Sequence, residues 1–239
     1  MTATLLFRDD AYLKDSQATV TGVNDKGGIL LDRTVFYATA GGQPGDKGTL
    51  MWDGGEVTIA TTVYDEAKGV VHVPAEGQKL PGVGANVKLI LDWANRFRNM
   101  RAHTLMHLLC ASVPFPVTGG AIGEDGGRID FDIPEGQIPD KAQLTATLNR
   151  LVSENHPVSF RWITDEEMAE NQHLIRTMSV KPPMGTGRVR LVMIGVDGKV
   201  DLQPCGGTHL SSTGAIGPVA VSKIENKGKI NRRIRVAFQ

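Results

Sequence analysis

Cysteine is scarce in this sequence: Cys110 and Cys205 are the two it holds. That excludes the multi-bridge framework of small secreted domains, although one bridge between the pair stays open. No apolar run approaches the length that spans a bilayer, so no membrane partner is expected. Residues 1–10 carry Arg8, Asp9 and Asp10 and lack the basic and long apolar parts of a signal peptide, which makes the cytoplasm the expected compartment. Net charge is missing too, with 26 Lys and Arg against 26 Asp and Glu. A neutral total argues against indiscriminate nucleic-acid binding but leaves room for a local basic patch. What is present is an ordinary globular composition, 41% hydrophobic and 22% charged, over 239 residues, a length comfortable for two cores.

Residues 1–90 read as strand-rich. β-Branched runs at 17–23, 28–32, 57–63, 70–73 and 86–91 are bounded by turn formers such as Asn24-Asp25, Asp53-Gly54-Gly55 and Pro81-Gly82. Short strands at this spacing predict a small β-barrel or curled sheet. The character changes at residue 91. Asp92 is the expected N-cap of a helix over 93–110. Pro139-Asp140 opens a second helix, and Thr164 with Glu167 fits a capping box opening a third. Strands are expected at 117–122, 128–133, 158–163, 188–194, 217–224 and 231–238, and a loop at 181–187. Mixed helices and antiparallel strands make residues 91–239 an α+β domain.

The chemistry gathers in two short stretches. His103 and His107 lie one turn apart on one face of the first predicted helix, so their imidazoles can converge on one ion. Cys205 and His209, also four apart and separated by Gly206, Gly207 and Thr208, can close the coordination from another segment. Nitrogen and sulfur donors suit a borderline-soft ion such as zinc. Thr104 stands where a zincin protease carries its general-base glutamate. Four protein ligands commonly mark a closed structural site, whereas catalysis needs room for water, and Cys205 can also serve as nucleophile or local base. The sequence leaves these alternatives open. Cys110 reads as core, His72 and His156 as surface or turn residues, and His173 as solvated.

The segment from Thr34 to Thr49 is rich in glycine. It reads as a surface loop between strands or as a loop whose amides and Gln43 face a ligand. Lys223, Lys227, Lys229, Arg232, Arg233 and Arg235 cluster near the C-terminus, and Arg96, Arg98 and Arg101 flank the histidine helix. These cations are candidates for phosphate contacts, or charges that keep an edge strand soluble.

His103-Thr-Leu-Met-His107 and Pro204-Cys-Gly-Gly-Thr-His209 resemble the split motifs of the alanyl-tRNA synthetase editing domain. The stretch Thr34-Val-Phe-Tyr-Ala38, followed by Gly41-Gly-Gln-Pro-Gly-Asp-Lys-Gly48, is similar to the Gly-rich segment of that family, and order and spacing match. The sequence is identified as a member of the free-standing alanyl-tRNA editing proteins in their medium-length form, without the aminoacylation domain. The resemblance implies a translation-factor-like β-barrel in residues 1–90. It places an α+β editing domain, shared with threonyl-tRNA synthetases, in residues 91–239. It implies one zinc ion held by His103, His107, Cys205 and His209, which are also the expected catalytic residues. The expected partner is mischarged tRNA(Ala), with serine as the first amino acid to be removed by zinc-activated water and glycine as the second; a monomer is the default. Thr118 stands about where members place a polar residue near the amino-acid side chain. Thr118, Gln43, Gly41, Gly42, Gly206 and Gly207 form the expected substrate-binding set, the last two through backbone amides at a developing oxyanion. Asp201 and Gln203 are candidates to orient a ligand from behind. One departure is Thr39, where members often carry an acidic residue. Two competing readings are a zinc-stabilised RNA-binding module without catalysis and a metal hydrolase for another substrate, such as a threonyl-tRNA type.

Overall fold

The computed structural model describes residues 3–178 and 187–239, so the expected loop at 181–187 lies outside the description apart from Gly187. The chain divides into two compact units, Met1–Asn99 and Met100–Gln239. No helix among the described residues is long and apolar enough to cross a membrane.

Apart from a short parallel pair, Thr4–Leu5 with Arg33–Thr34, the first unit is built on six strands: β1 (Asp15–Val23), β2 (Ile29–Leu31), β3 (Gly48–Trp52), β4 (Gly55–Tyr64), β5 (Val70–Pro74) and β6 (Asn86–Leu91). They close into a barrel in the order β1-β2-β5-β4-β3-β6. Period-two alternation explains the closure: along β6, Val87, Leu89 and Leu91 are buried while Asn86, Lys88 and Ile90 are exposed. Val20, Ile29, Leu31, Leu50, Val57 and Ile59 fill the same interior. Strand β3 grows directly out of the Gly-rich segment, which the β-branched pattern does not predict. Glycine is required there by contact: a Cβ on Gly48 would stand 2.2 Å from the Ile90 carbonyl oxygen, and one on Gly45 would stand 1.9 Å from that of Thr62.

His72 is not the surface residue expected from sequence. It is fully buried on β5, its Nδ1 donating to the Ile29 carbonyl at 3.1 Å. The Thr34 hydroxyl donates to His72 Nε2 at 2.8 Å, while the same hydroxyl oxygen accepts from the Phe36 amide at 3.0 Å. One donor and one acceptor nitrogen define a neutral ring. Burial lowers its pKa to about 4. Between the unfolded value near 6.5 and this folded value, the unfolded chain binds a proton that the folded chain refuses. Stability is therefore full above about pH 6.5 and falls as the pH drops toward 4, by about 3 kcal/mol in all. Urea midpoints at pH 7 and pH 4.5 are expected to show this loss in the wild type and to show much less in His72→Gln; equal pH dependence would remove His72 as the cause.

Helix α1 (Trp93–Ser112) begins in the first unit and continues in the second, with the Asp92 carboxylate accepting from the Asn95 amide at 3.0 Å as its N-cap. Then follow β7 (Val117–Gly123), β8 (Gly126–Asp132), α2 (Lys141–Ser153), β9 (Val158–Thr164), α3 (Asp165–Glu170), β10 (Arg188–Ile194), β11 (Asp201–Pro204), β12 (Val219–Asn226) and β13 (Asn231–Phe238). The predicted Asp140 cap and the Thr164–Glu167 capping box are both present. Two antiparallel sheets form, one ordered β12-β13-β8-β7 and one ordered β9-β10-β11. Helix α2 closes the outer edge of β12 with polar side chains spaced at helical intervals. The Thr145 hydroxyl accepts from the Val221 amide, Asn149 bonds both backbone groups of Val219, and Lys141 donates to the Ser222 carbonyl. The protein is thus a mixed α and β structure that includes a closed six-stranded barrel.

Candidate metal centre

Residues 102–110 of α1 are buried at every position. A helix enclosed on all sides is expected to be apolar all round, yet this one carries His103, Thr104 and His107. Buried polar side chains need partners. The partners come from the loop that follows β11.

His103, His107, Cys205 and His209 bring one donor atom each to within 4.8 Å of one another. The Cys205 sulfur lies 3.5 Å from His103 Nε2 and 3.3 Å from His209 Nε2. Donors bound 2.0–2.3 Å from a tetrahedral centre stand about 3.3–3.7 Å apart, so these spacings fit an ion between them. Three nitrogens and one sulfur form a donor set that can hold a metal ion and that suits zinc.

Three of the four are held from behind. His107 Nδ1 donates to Asp201 Oδ2 at 2.7 Å, which turns Nε2 toward the cluster, and Gln203 Nε2 donates to the same oxygen at 2.9 Å. Both candidates from β11 therefore stand behind a residue of the cluster. His209 Nδ1 stands 3.4 Å from the Thr104 hydroxyl, whose oxygen accepts from the Leu210 amide at 3.1 Å. Thr104 thus occupies the zincin glutamate position but serves His209 of the Cys205–His209 pair. Arg190 holds the loop itself. Its guanidinium donates to the Gly207 and Cys205 carbonyls at 2.9 and 3.3 Å and stacks over Phe160, while its own carbonyl accepts from the Cys205 amide at 3.0 Å. Sequence reading missed Arg190. The available signal was a charged residue inside the apolar run Val189, Leu191, Val192, Met193 and Ile194.

The electrostatics at Cys205 and His209 favour a metal-binding form. Burial pushes the Cys205 thiol up, but the neighbouring His103 and His209 rings outweigh it and hold the thiol well below its usual value. Burial, with His103 beside it, holds His209 well below the usual histidine value, leaving its lone pair available. Burial opposes charge on His107, while the Asp201 and Cys205 anions raise its pKa to about 10. Asp201→Asn is expected to weaken metal affinity by about 10- to 100-fold, read by competition with a chromophoric chelator. Unchanged affinity would remove the orienting role.

The other expected site residues stand on several elements. Thr118 lies on β7, its hydroxyl donating to the Asp130 carbonyl at 3.2 Å and accepting from Asn231 Nδ2 at 2.6 Å. Gly206 leaves open space where a side chain would stand, and the Gly207 amide is directed at the Cys205 sulfur at 3.4 Å. In the first unit, Gly41 and Gly42 take positive φ of 55° and 83° at an exposed turn bridged by Ala40 and Gln43. Gln43 itself is buried. Three of the cations suggested for phosphate contacts are committed elsewhere. Arg96 is buried against Asp46, Arg101 donates twice to the Ile216 carbonyl, and Arg232 is buried on the carbonyls of Gly228, Lys229 and Asn231.

Known proteins bear on this geometry. Residues 189–235, which include the Cys205–His209 loop, match the family described as Threonyl and Alanyl tRNA synthetase second additional domain, and residues 5–95 match tRNA synthetases class II (A). The alanyl-tRNA editing protein AlaX-M of Methanosarcina acetivorans is 33% identical over 98% of this chain and 98% of its own. That of Methanosarcina mazei is 35% identical over 98% of this chain and 95% of its own. An alanine–tRNA ligase of Pyrobaculum neutrophilum is 35% identical over 92% of this chain, a stretch that makes up 25% of the ligase. Matched to such relatives almost end to end, the chain belongs to the alanyl-tRNA editing protein AlaX-M family.

Proposed function

We propose that the chain hydrolyses the ester joining a wrong amino acid to the 3′ end of alanine tRNA, with seryl-tRNA(Ala) as its first substrate and glycyl-tRNA(Ala) as its second. The observation that carries this reading is the four-donor cluster of α1 and the 205–209 loop in a chain of the AlaX-M family. In the reaction a water oxygen bonds to the ester carbonyl carbon, the bond to the ribose oxygen breaks, and that oxygen leaves with a proton. A zinc ion held by His103, His107, Cys205 and His209 supplies, when bound, Lewis acidity and an acidified water.

The chain's own residues set orientation and access. Asp201 fixes the face that His107 presents, Thr104 does the same for His209, and Arg190 fixes the turn that carries Cys205. The three histidines are buried, while Cys205 is half-buried and is followed by the open space at Gly206. The ester therefore approaches past Cys205 and Gly206. Selectivity follows from hydrogen bonding, because a site built to bind a hydroxyl rejects the analogue that lacks it. Thr118, with its hydroxyl oriented by Asp130 and Asn231, is the proposed reader of the serine hydroxyl.

The test is serine release from seryl-tRNA(Ala), run beside alanyl-tRNA(Ala), with and without a chelator. Cleavage of the first, sparing of the second and arrest by the chelator are the expected results. Tight tRNA binding without release would instead favour a zinc-stabilised binding module.

A further inference from the structure

Strand register arranges the charges on one face of the β12-β13-β8-β7 sheet. From β13, Ile234 and Val236 point into the core, and Arg233 and Arg235 point out. One cross-strand row on the outer face reads Lys223, Arg235, Arg128, Ala121. The next row reads Glu225, Arg233, Asp130, Gly119. On the opposite side of the cation row stands a row with nothing larger than a methyl group: Ala220, Ala237, Gly126, Gly123.

Like charges directly opposite one another across strands are destabilising. Three cations in line are therefore not an arrangement a sheet adopts for its own stability. The neighbouring acids offset only part of the charge and act mainly as braces. Glu225 takes Arg235 Nε at 2.6 Å and lies 3.4 Å from Lys223 Nζ and 3.8 Å from Lys227 Nζ. Asp130 takes Arg233 through two bonds of 2.7 and 2.8 Å and Arg128 through one of 2.9 Å. Held this way, Lys223 and Arg235 keep side chains that are 65% and 42% exposed. With strands spaced about 4.8 Å apart, the three cations extend roughly 10 Å across the sheet. Guanidiniums offer planar donor pairs that match phosphate oxygens, and the low row beside them lets a polyanion backbone come close.

We propose that the Lys223–Arg235–Arg128 row is the surface on which this chain holds the phosphate backbone of its RNA substrate. The inference rests on the proposed function and adds to it where the RNA lies. Arg128 enters from the structure alone; it stands far from the C-terminal cluster in sequence.

The test compares the triple variant Arg128→Gln, Lys223→Gln, Arg235→Gln with the wild type on two esters, seryl-tRNA(Ala) and seryl-adenosine, which has the same ester without the RNA body. Binding of uncharged tRNA is titrated against salt in parallel. The triple variant is expected to lose at least about tenfold more kcat/KM on the tRNA than on the adenosine ester, and its slope of log affinity against log salt is expected to shrink by about 3. Glu225→Gln is expected to move the other way, tightening tRNA binding and steepening the slope. A folded triple variant with wild-type salt dependence overturns the proposal, as does stronger binding of the wild type to anionic lipid vesicles than to tRNA. If the triple variant fails to fold, Glu225→Gln and the single Lys223→Gln decide on the same readouts. A wild type that cleaves neither ester counts against the hydrolase reading, and the tRNA salt titration then still decides the surface.

Discussion

His103→Ala is expected to release the metal ion and to slow serine release from seryl-tRNA(Ala) by roughly a thousandfold or more. The magnitude follows from comparison within the site. Removing a partner that only orients a ligand costs about 10- to 100-fold in affinity or activity, and removing a ligand costs more. Among the described residues His103 has no substitute in the cluster, because His107, Cys205 and His209 are its only other members. Three measurements are needed on one preparation: metal content after dialysis, serine release, and far-UV circular dichroism. Loss of metal and activity with the fold retained supports a catalytic ion. Loss of the fold together with the metal supports a structural one, because a closed four-ligand site commonly holds a domain together. Full activity in a metal-free variant would sink the metal mechanism outright. Cys205→Ala provides the second arm, since its sulfur contacts both His103 and His209.

The second large effect lies in the first unit. Asp46→Ala is expected to destabilise that unit by about 3–5 kcal/mol. Both Arg96 and Asp46 have side chains with no exposed surface. Arg96 bonds the Asp46 carboxylate through Nε and Nη2, the Val35 carbonyl at 2.6 Å and the Ala11 carbonyl at 2.7 Å. Asp46 also accepts from the Tyr37 amide at 2.6 Å. Burial alone pushes the Asp46 carboxyl pKa upward, and the Arg96 guanidinium and the Tyr37 amide pull against it. Deleting the carboxylate leaves a charged guanidinium with no anion and no water. Against a typical domain stability of about 5–15 kcal/mol, the loss is large. Urea unfolding of the variant should show it as an earlier midpoint at unchanged slope. The double variant Asp46→Leu, Arg96→Met is expected to recover only part, because it removes the uncompensated charge but leaves the Val35 and Ala11 carbonyls without their donor. A single Asp46→Ala change of less than 1 kcal/mol would show that water reaches the pair.

The sequence announces the parts of this protein that follow local rules. His103 and His107 declare themselves by spacing on a helix, and Asp92, Asp140 and Thr164 by cap chemistry. The alternation of Val87, Leu89 and Leu91 declares a barrel wall. What stayed hidden depends on distant partners. Arg96 reads as a candidate phosphate contact, and only the approach of Asp46 from the Gly-rich segment makes it a buried partner in an ion pair. His72 reads as an exposed strand residue until Thr34 and Ile29 supply its two bonds. Strand β3 was concealed because glycines needed for close packing against Ile90 and Thr62 look, in one dimension, like a loop. Arg190 was missed for a related reason: its partners are carbonyl oxygens of the Cys205–Gly207 turn, which no residue type advertises.

The polar stripe of α2 has a consequence beyond the fold of one chain. An unpaired outer strand is a template on which other chains add, and proteins block it with charge, proline, bulges or a covering element. Here Lys141, Thr145 and Asn149 supply the donors and acceptors that a neighbouring strand would supply. On the opposite outer strand, Val117 exchanges backbone bonds with Arg176 and Met178. The cover on these edges is therefore supplied by residues that a survey of apolar faces passes over. Two alanines, at positions 145 and 149, would empty no core cavity and yet would open a strand to its copies.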